Sequence, residues 1–223
     1  MTATLPRQLL ISLALALPAA HCVAAGGHHA VDDAAILDKG DCEVETWFSR
    51  AAGAQRLLHA GLNCGVGLVE LGAAAEYARA DGASQTGWLL QAKTARALTE
   101  TLSVGASLTA GWLARSDPRF TGSTLLALAS WQATDAIALH LNIGRDFVHR
   151  ADDTGRGGVA IEWSPAKGWS LLAERYREQQ THLVRAGARW SFSERLQLDF
   201  SRSHRISGPN PGTWTLGATL AFE

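Results

Sequence analysis

Charge of either sign is scarce in this chain. Twenty Lys and Arg stand against 21 Asp and Glu, 18% of 223 residues, for a formal net charge of −1. Without a basic surplus there is no electrostatic footprint for nucleic acid. Cysteine is limited to Cys22, Cys42 and Cys64, and Cys42 and Cys64, with no clustered His, do not make a structural zinc site. No nucleophile elbow and no spaced catalytic triad is present. Ser201 or Ser203 beside Asp199, with His140 or His59 elsewhere, comes nearest, and Ser and Asp on one face of a strand are ordinary solvated residues. No catalytic residue is assigned, and the chain is read as a non-enzyme. Long hydrophobic runs are missing too. The one at 9–20 holds about a dozen residues, where a spanning helix needs about 20.

That run follows Arg7 and precedes the small residues Val23, Ala24 and Ala25, the pattern of a secretory signal peptide over 1–25. Cleavage after Ala25 would start the mature chain at Gly26-Gly27-His28. A free amine, two backbone amides and a third-position imidazole form a square-planar nitrogen set suited to Cu(II) or Ni(II). Copper at this terminus is the one cofactor the sequence raises. Residues 26–41 form a short periplasmic segment that either sits inside the following domain or hangs free.

What the chain does have is alternation. Apolar and polar residues alternate in segments of about ten, divided by turn residues. Twelve strands are expected, at 42–50, 56–65, 68–79, 86–97, 103–114, 123–133, 137–148, 158–164, 169–178, 182–192, 196–206 and 213–222. About 9–11 residues of strand cross a bilayer. Odd-numbered connections are long and most even-numbered ones are tight, as in outer-membrane barrels. The tryptophans sort by strand direction. Trp88, Trp112 and Trp214, with Tyr77, fall at the outer end; Trp131, Trp163, Trp169 and Trp190, with Phe222, fall at the periplasmic end. Two aromatic belts are what headgroup regions select. Hairpin centres pair Trp88 with Trp112 and Trp163 with Trp169. Trp47 lies outside both belts. A mean hydropathy of −0.01 suits a barrel and a soluble sandwich alike. The fold class expected is all-β: one antiparallel transmembrane barrel of twelve strands over 42–223.

Parity assigns the faces. Val104, Ala106, Leu108, Ala110 and Trp112 share one side of their strand, and the apolar side must face lipid. The same rule puts Glu43, Glu45, Glu70, Glu76, Glu162, Glu174 and Asp199 in the lumen, with Lys93, Arg185, Arg189 and Arg205. His59, His140, Asn63, Asn142, Asp146, Gln91 and Gln197 join them. This lining reads either as a polar pore or as a salt-bridged filling that closes the lumen. Centring the first hairpin on Gly53 sets Cys42 opposite Cys64 and Trp47 opposite His59. Directly opposed positions are within disulfide reach, and an oxidising periplasm pairs such thiols; the alternative is two free thiols in a shifted register.

The chain ends Thr215-Leu-Gly-Ala-Thr-Leu-Ala-Phe222 before Glu223. A polar residue, Gly217, and then Leu220 and Phe222 at alternate positions resemble the C-terminal sorting signal of Gram-negative outer-membrane barrels. That resemblance implies outer-membrane lipids and the barrel-assembly machinery as partners. Near the start, Val31-Asp32-Asp33, Asp38-Lys39-Gly40 and Glu43-Val-Glu45 resemble the opening of the transporter-like barrels grouped with the meta-pathway phenol-degradation proteins, although Cys42 departs from their pattern. The resemblance implies an outer-membrane barrel passing small or aromatic compounds. The function expected is therefore a narrow channel or transporter for small solutes. The alternative is a non-conducting barrel with a structural, adhesive or copper-scavenging role.

Overall fold

The structure is a computed structural model that describes residues 27–51 and 55–223. The signal peptide expected over 1–25 and Gly26, first residue of the expected copper set, lie outside the described residues. Twelve strands follow in order: β1 (Cys42–Ala51), β2 (Arg56–Val66), β3 (Val69–Ala80), β4 (Ala83–Ala97), β5 (Leu102–Leu113), β6 (Phe120–Thr134), β7 (Ile137–Val148), β8 (Thr154–Ala166), β9 (Trp169–Glu178), β10 (Thr181–Ser191), β11 (Leu196–Ser207) and β12 (Thr213–Phe222). Each pairs antiparallel with its neighbours, and β12 returns to pair with β1, closing the barrel. Closure leaves no unpaired sheet edge, so the backbone can lie against hydrocarbon.

Period two decides which side chains face in. Along β7 the outward Leu141 and Ile143 are exposed, while Ala138, His140, Asn142 and Asp146 are buried. Large apolar side chains therefore sit on the outside of every strand. Among the described residues, buried apolar side chains gather in two small clusters within the lumen, around Val31 and around Ala34.

Several strand ends move from the positions read in sequence. β4 starts at Ala83 rather than 86, and β6 at Phe120 rather than 123. β8 spans Thr154–Ala166 rather than 158–164, because its first half, Thr-Gly-Arg-Gly-Gly, pairs with β7 through its backbone without an alternating apolar pattern to betray it. Trp88 does face Trp112. Trp163 does not face Trp169: the register shifts between Trp163 and Ala166, so Trp163 opposes Leu171 and Ala166 opposes Trp169. Pro165 lies in that shift and has no N–H to give the ladder. Trp169 instead opposes and stacks on Trp190, with ring centroids 5.8 Å apart. Trp47, the tryptophan outside both belts, faces the lumen and stacks on His59 at 3.4 Å.

One end of the barrel carries the short turns, the start of β1 and the end of β12; it is the turn end below. The other, the loop end, carries the longest connections, after β5, β7 and β11. Those after β3 and β9, read as long from the sequence, are two-residue turns because the strands run on to Ala80, Ala83, Glu178 and Thr181. At the turn end Cys42 and Cys64 are register partners and form a disulfide.

Candidate functional site

The site is built from the lumen wall and from the segment that precedes β1. That segment, 27–41, lies inside the barrel as a strap. It enters beside β2, where the Gly40 N–H donates to the Gly65 carbonyl at 3.0 Å and the Gly65 N–H to the Asp41 carbonyl at 2.9 Å. A Cβ on Gly65 would stand 2.1 Å from the Asp38 carbonyl oxygen, so only glycine lets the strap pass.

The strap has no sheet of its own, and its backbone donors are met by wall side chains. The N–H groups of Ala30 and Val31 donate to the two carboxylate oxygens of Glu174, at 3.2 and 2.9 Å. Leu37 N–H donates to Glu70 at 2.9 Å, and Gly27 N–H to Glu45 at 3.2 Å. Ala34 N–H donates to Ser130 Oγ at 2.8 Å, which shares a further hydrogen bond with His140 Nδ1. Asn142, its amide oriented by its hydrogen bonds, accepts from Asp32 N–H at 2.7 Å and donates to the Asp32 carbonyl at 2.8 Å. The carboxylates of Asp32 and Asp33 receive Lys93 Nζ at 2.9 and 3.1 Å. Arg185 donates to the His28 carbonyl and to Glu174.

Apolar contacts complete the docking. Val31 is fully buried against Ala160, Tyr176 and Leu183, and Ala34 packs on Leu126 and Leu128. A Cβ on Gly158 would come 2.8 Å from Val31 Cγ2, so the wall is shaped to the strap at that point. His28 Nε2 lies 2.7 Å from Ser201 Oγ, and its ring stacks on His29. Burial, and next the neighbouring His29, hold the His28 imidazole well below its ordinary range, at about 3.

The strap covers only part of the wall. A continuous cavity of about 1600 Å³ remains beside it, and its lining reaches Ala80, Gln179 and Asn210 at the loop end and Asp41, Arg195 and Ala221 at the turn end. Of the lumen residues read from sequence, Glu43, Glu45, His59, Glu70, Glu76, Lys93 and Arg185 line this cavity. His140, Glu162, Glu174, Arg189 and Asp199 face inward but are buried and outside its lining. Arg189 and Asp199 form an ion pair of 2.8 Å there. Arg205 departs from the reading: it is exposed at the loop-end rim, bonded to the Pro209 carbonyl at 3.2 Å. Parity carries its side inward, but the strand has by then risen past the enclosed lumen.

The structure brings Ser201 to a histidine, and that histidine is His28 rather than His140 or His59. Ser201 is 1% exposed, so no solute reaches the pair. Among the described residues no three His, Cys, Asp or Glu side chains are grouped to hold a metal. A copper chelate would need the Gly27 nitrogen stripped of its proton, and here that N–H donates to Glu45.

A family model matches residues 13–222, described as uncharacterised conserved protein UCP029691. The chain belongs to this family. No curated protein matches it. Among solved structures it is similar to a KdgM porin, with a TM-score of 0.63 at 10% identity over 81% of this chain and 99% of that one. An outer membrane channel from Pseudomonas putida F1 gives 0.66 at 12%, over 85% and 98%. A NanC porin gives 0.62 at 8%, over 82% and 99%. At these identities the likeness is one of fold, and the fold is that of bacterial outer-membrane channel barrels.

Some working residues escaped the sequence reading. Ser130 and Tyr176 face the lumen by parity but carry no charge to draw notice. The Asp32-Asp33 pair and the Lys39-Gly40 turn were singled out only through resemblance. Their physical roles are to hold Lys93 and to start the strap's pairing with β2.

Proposed function

We propose that the protein is a narrow channel for small solutes in the outer membrane of a Gram-negative bacterium, and that its open passage favours cations. The observation that carries the reading is the continuous cavity beside the strap. Its lining includes Glu43, Glu45, Glu70 and Glu76, all on β1 and β3. Among the described residues none of these four has a Lys or Arg within ion-pair distance; Glu76 meets only His59, at 3.1 Å. Of the cationic side chains lining the cavity, Lys93 is engaged by Asp32 and Asp33, Arg185 by Glu174, and Arg156 by Asp146 and Glu178, while Arg56, Arg79 and Arg195 stand at its two ends. Glu45 and Glu70 also accept N–H groups of the strap, and a wall of carboxylates without Lys or Arg partners raises the local cation concentration and repels anions. The same reading makes the protein a non-enzyme, and has β12 present its C-terminal residues to the barrel-assembly machinery.

The test is conductance of the refolded protein in a planar bilayer across a KCl gradient. Steady openings with a reversal potential of cation sign are expected. Glu43→Gln with Glu76→Gln should bring the permeability ratio close to one. Glu162→Gln, beneath the strap, should leave it unchanged. A correctly folded barrel that stays silent would overturn the reading and favour a closed structural or adhesive barrel.

A further inference from the structure

The outward face carries a pattern that a channel does not use. Arg202 on β11, Trp214 on β12, Arg50 on β1, Arg56 on β2 and Arg79 on β3 are successive register partners across five neighbouring strands. All four arginines are exposed and have outward parity. Strands lie about 4.8 Å apart, so the row is roughly 20 Å long. Like charges directly opposed destabilise a sheet, yet Arg50, Arg56 and Arg79 stand side by side. Among the described residues no carboxylate pairs with any of the three, and Arg202 lies over the Trp214 ring at 4.6 Å.

One pleat toward the turn end, Phe200, Leu216, Phe48, Leu58 and Tyr77 form a parallel row in the same register. All five are exposed. A cationic row thus stands directly above an apolar one. The opposite side of the barrel lacks this arrangement. At the loop end β4 to β7 present Trp88, Phe120 and Phe147 outward, and their Arg145 is 3.6 Å from Asp153.

Guanidinium groups without carboxylate partners match phosphate oxygens, which they bind through paired N–H donors. The apolar row below matches acyl chains. We propose that this face of β11, β12 and β1 to β3 binds a lipid carrying more than one phosphate in the outer leaflet, its phosphates on the arginine row and its acyl chains on the row beneath. A row of this length holds more than a single phosphate. The proposal rests on the outer-membrane reading above, which turns the loop end outward.

The test uses the refolded full barrel in nanodiscs of zwitterionic lipid, with diphosphoryl lipid A as probe and native mass spectrometry as readout. Retention of diphosphoryl lipid A is expected, with weaker retention of the fully dephosphorylated glycolipid and no displacement by inorganic phosphate at equal concentration. The triple variant Arg50→Gln, Arg56→Gln, Arg79→Gln should lose at least about tenfold in affinity, and Arg145→Gln should lose none. The triple change relieves like-charge opposition and should fold; Arg56→Gln alone, at the middle of the row, tests the same point with less disturbance. Equal retention of both glycolipids, wild-type affinity in the triple variant, or displacement by inorganic phosphate would overturn the proposal. Arg56 and Arg79 also border the loop end of the cavity, so the double variant Arg50→Gln, Arg202→Gln, whose residues do not line it, separates this site from the channel: weaker lipid binding with unchanged conductance bears on this site alone.

Discussion

The two walls of the lumen carry the same residue types and use them differently. On the turn-end half of β6 to β11, charges are covered by the strap and spent on holding it. Glu174 receives two backbone N–H groups and Arg185, and Asp199 receives Arg189. On β1 and β3, Glu43 and Glu76 face the open cavity with no Lys or Arg partner among the described residues. A luminal glutamate is therefore a docking acceptor where the strap lies over it, as at Glu174 and also at Glu45 and Glu70, and a lining charge where it does not, as at Glu43 and Glu76. The difference lies in what stands opposite it, not in the residue.

The largest change expected on the covered wall is Glu174→Ala. It removes the acceptor for Ala30 and Val31 and leaves the buried Arg185 without its carboxylate. Breaking such a pair costs about 3–5 kcal/mol. Exchange of the Ala30 and Val31 amides should accelerate while the strand amides keep their protection; unchanged exchange would show that the strap is held elsewhere. Next is the disulfide of the first hairpin, on the open side. Its bond closes a separation of 22 residues, which stabilises by about 3 kcal/mol through the unfolded chain. Reduction should lower the urea midpoint and leave strap exchange nearly unchanged. If the strap loosens as much as the barrel does, the two walls are not independent.

A smaller effect is expected for Val31→Ala, which takes two methyl groups from a fully buried site. The loss should be about 2 kcal/mol, read as faster exchange over 27–40 and, under the proposed function, a larger conductance. The smallest is an effect of pH. His28 has its folded value lowered from 6.5 to about 3 by burial and then by His29. The released strap therefore takes up a proton more readily than the docked one. Docking is fully supported above pH 6.5 and weakens as pH falls toward 3. Between pH 7 and 5.5 the change should be about 1 kcal/mol. Strap opening, read as exchange divided by the intrinsic amide rate at each pH, should rise over that interval in the wild type, and the rise should be reduced in His28→Asn. An equal rise in the variant would assign it to another group.

Much of the fold was legible because it is written with period two. Cys42 opposite Cys64, Trp47 opposite His59 and Trp88 opposite Trp112 all follow from counting outward from a turn. Counting failed where the chain abandons alternation. The glycines of β8 hid half a strand, and the shift around Pro165 separated Trp163 from Trp169. Lumen parity held for Glu162 and Asp199 as well as for Glu43 and Glu76, yet parity does not separate the covered from the open.

The sequence by itself determined which side chains face inward and which face outward, because alternation is local and closure of the ladder forces the apolar set outward. Only the tertiary structure decided which inward charges remain available to a solute. That depends on where residues 27–41 lie, and they are held by Ser130, Glu174 and Ser201, which stand 96, 143 and 173 positions away from their partners. Contacts over such separations leave no period in the sequence. They arise when a segment rich in unpaired backbone donors is enclosed by a wall that supplies acceptors.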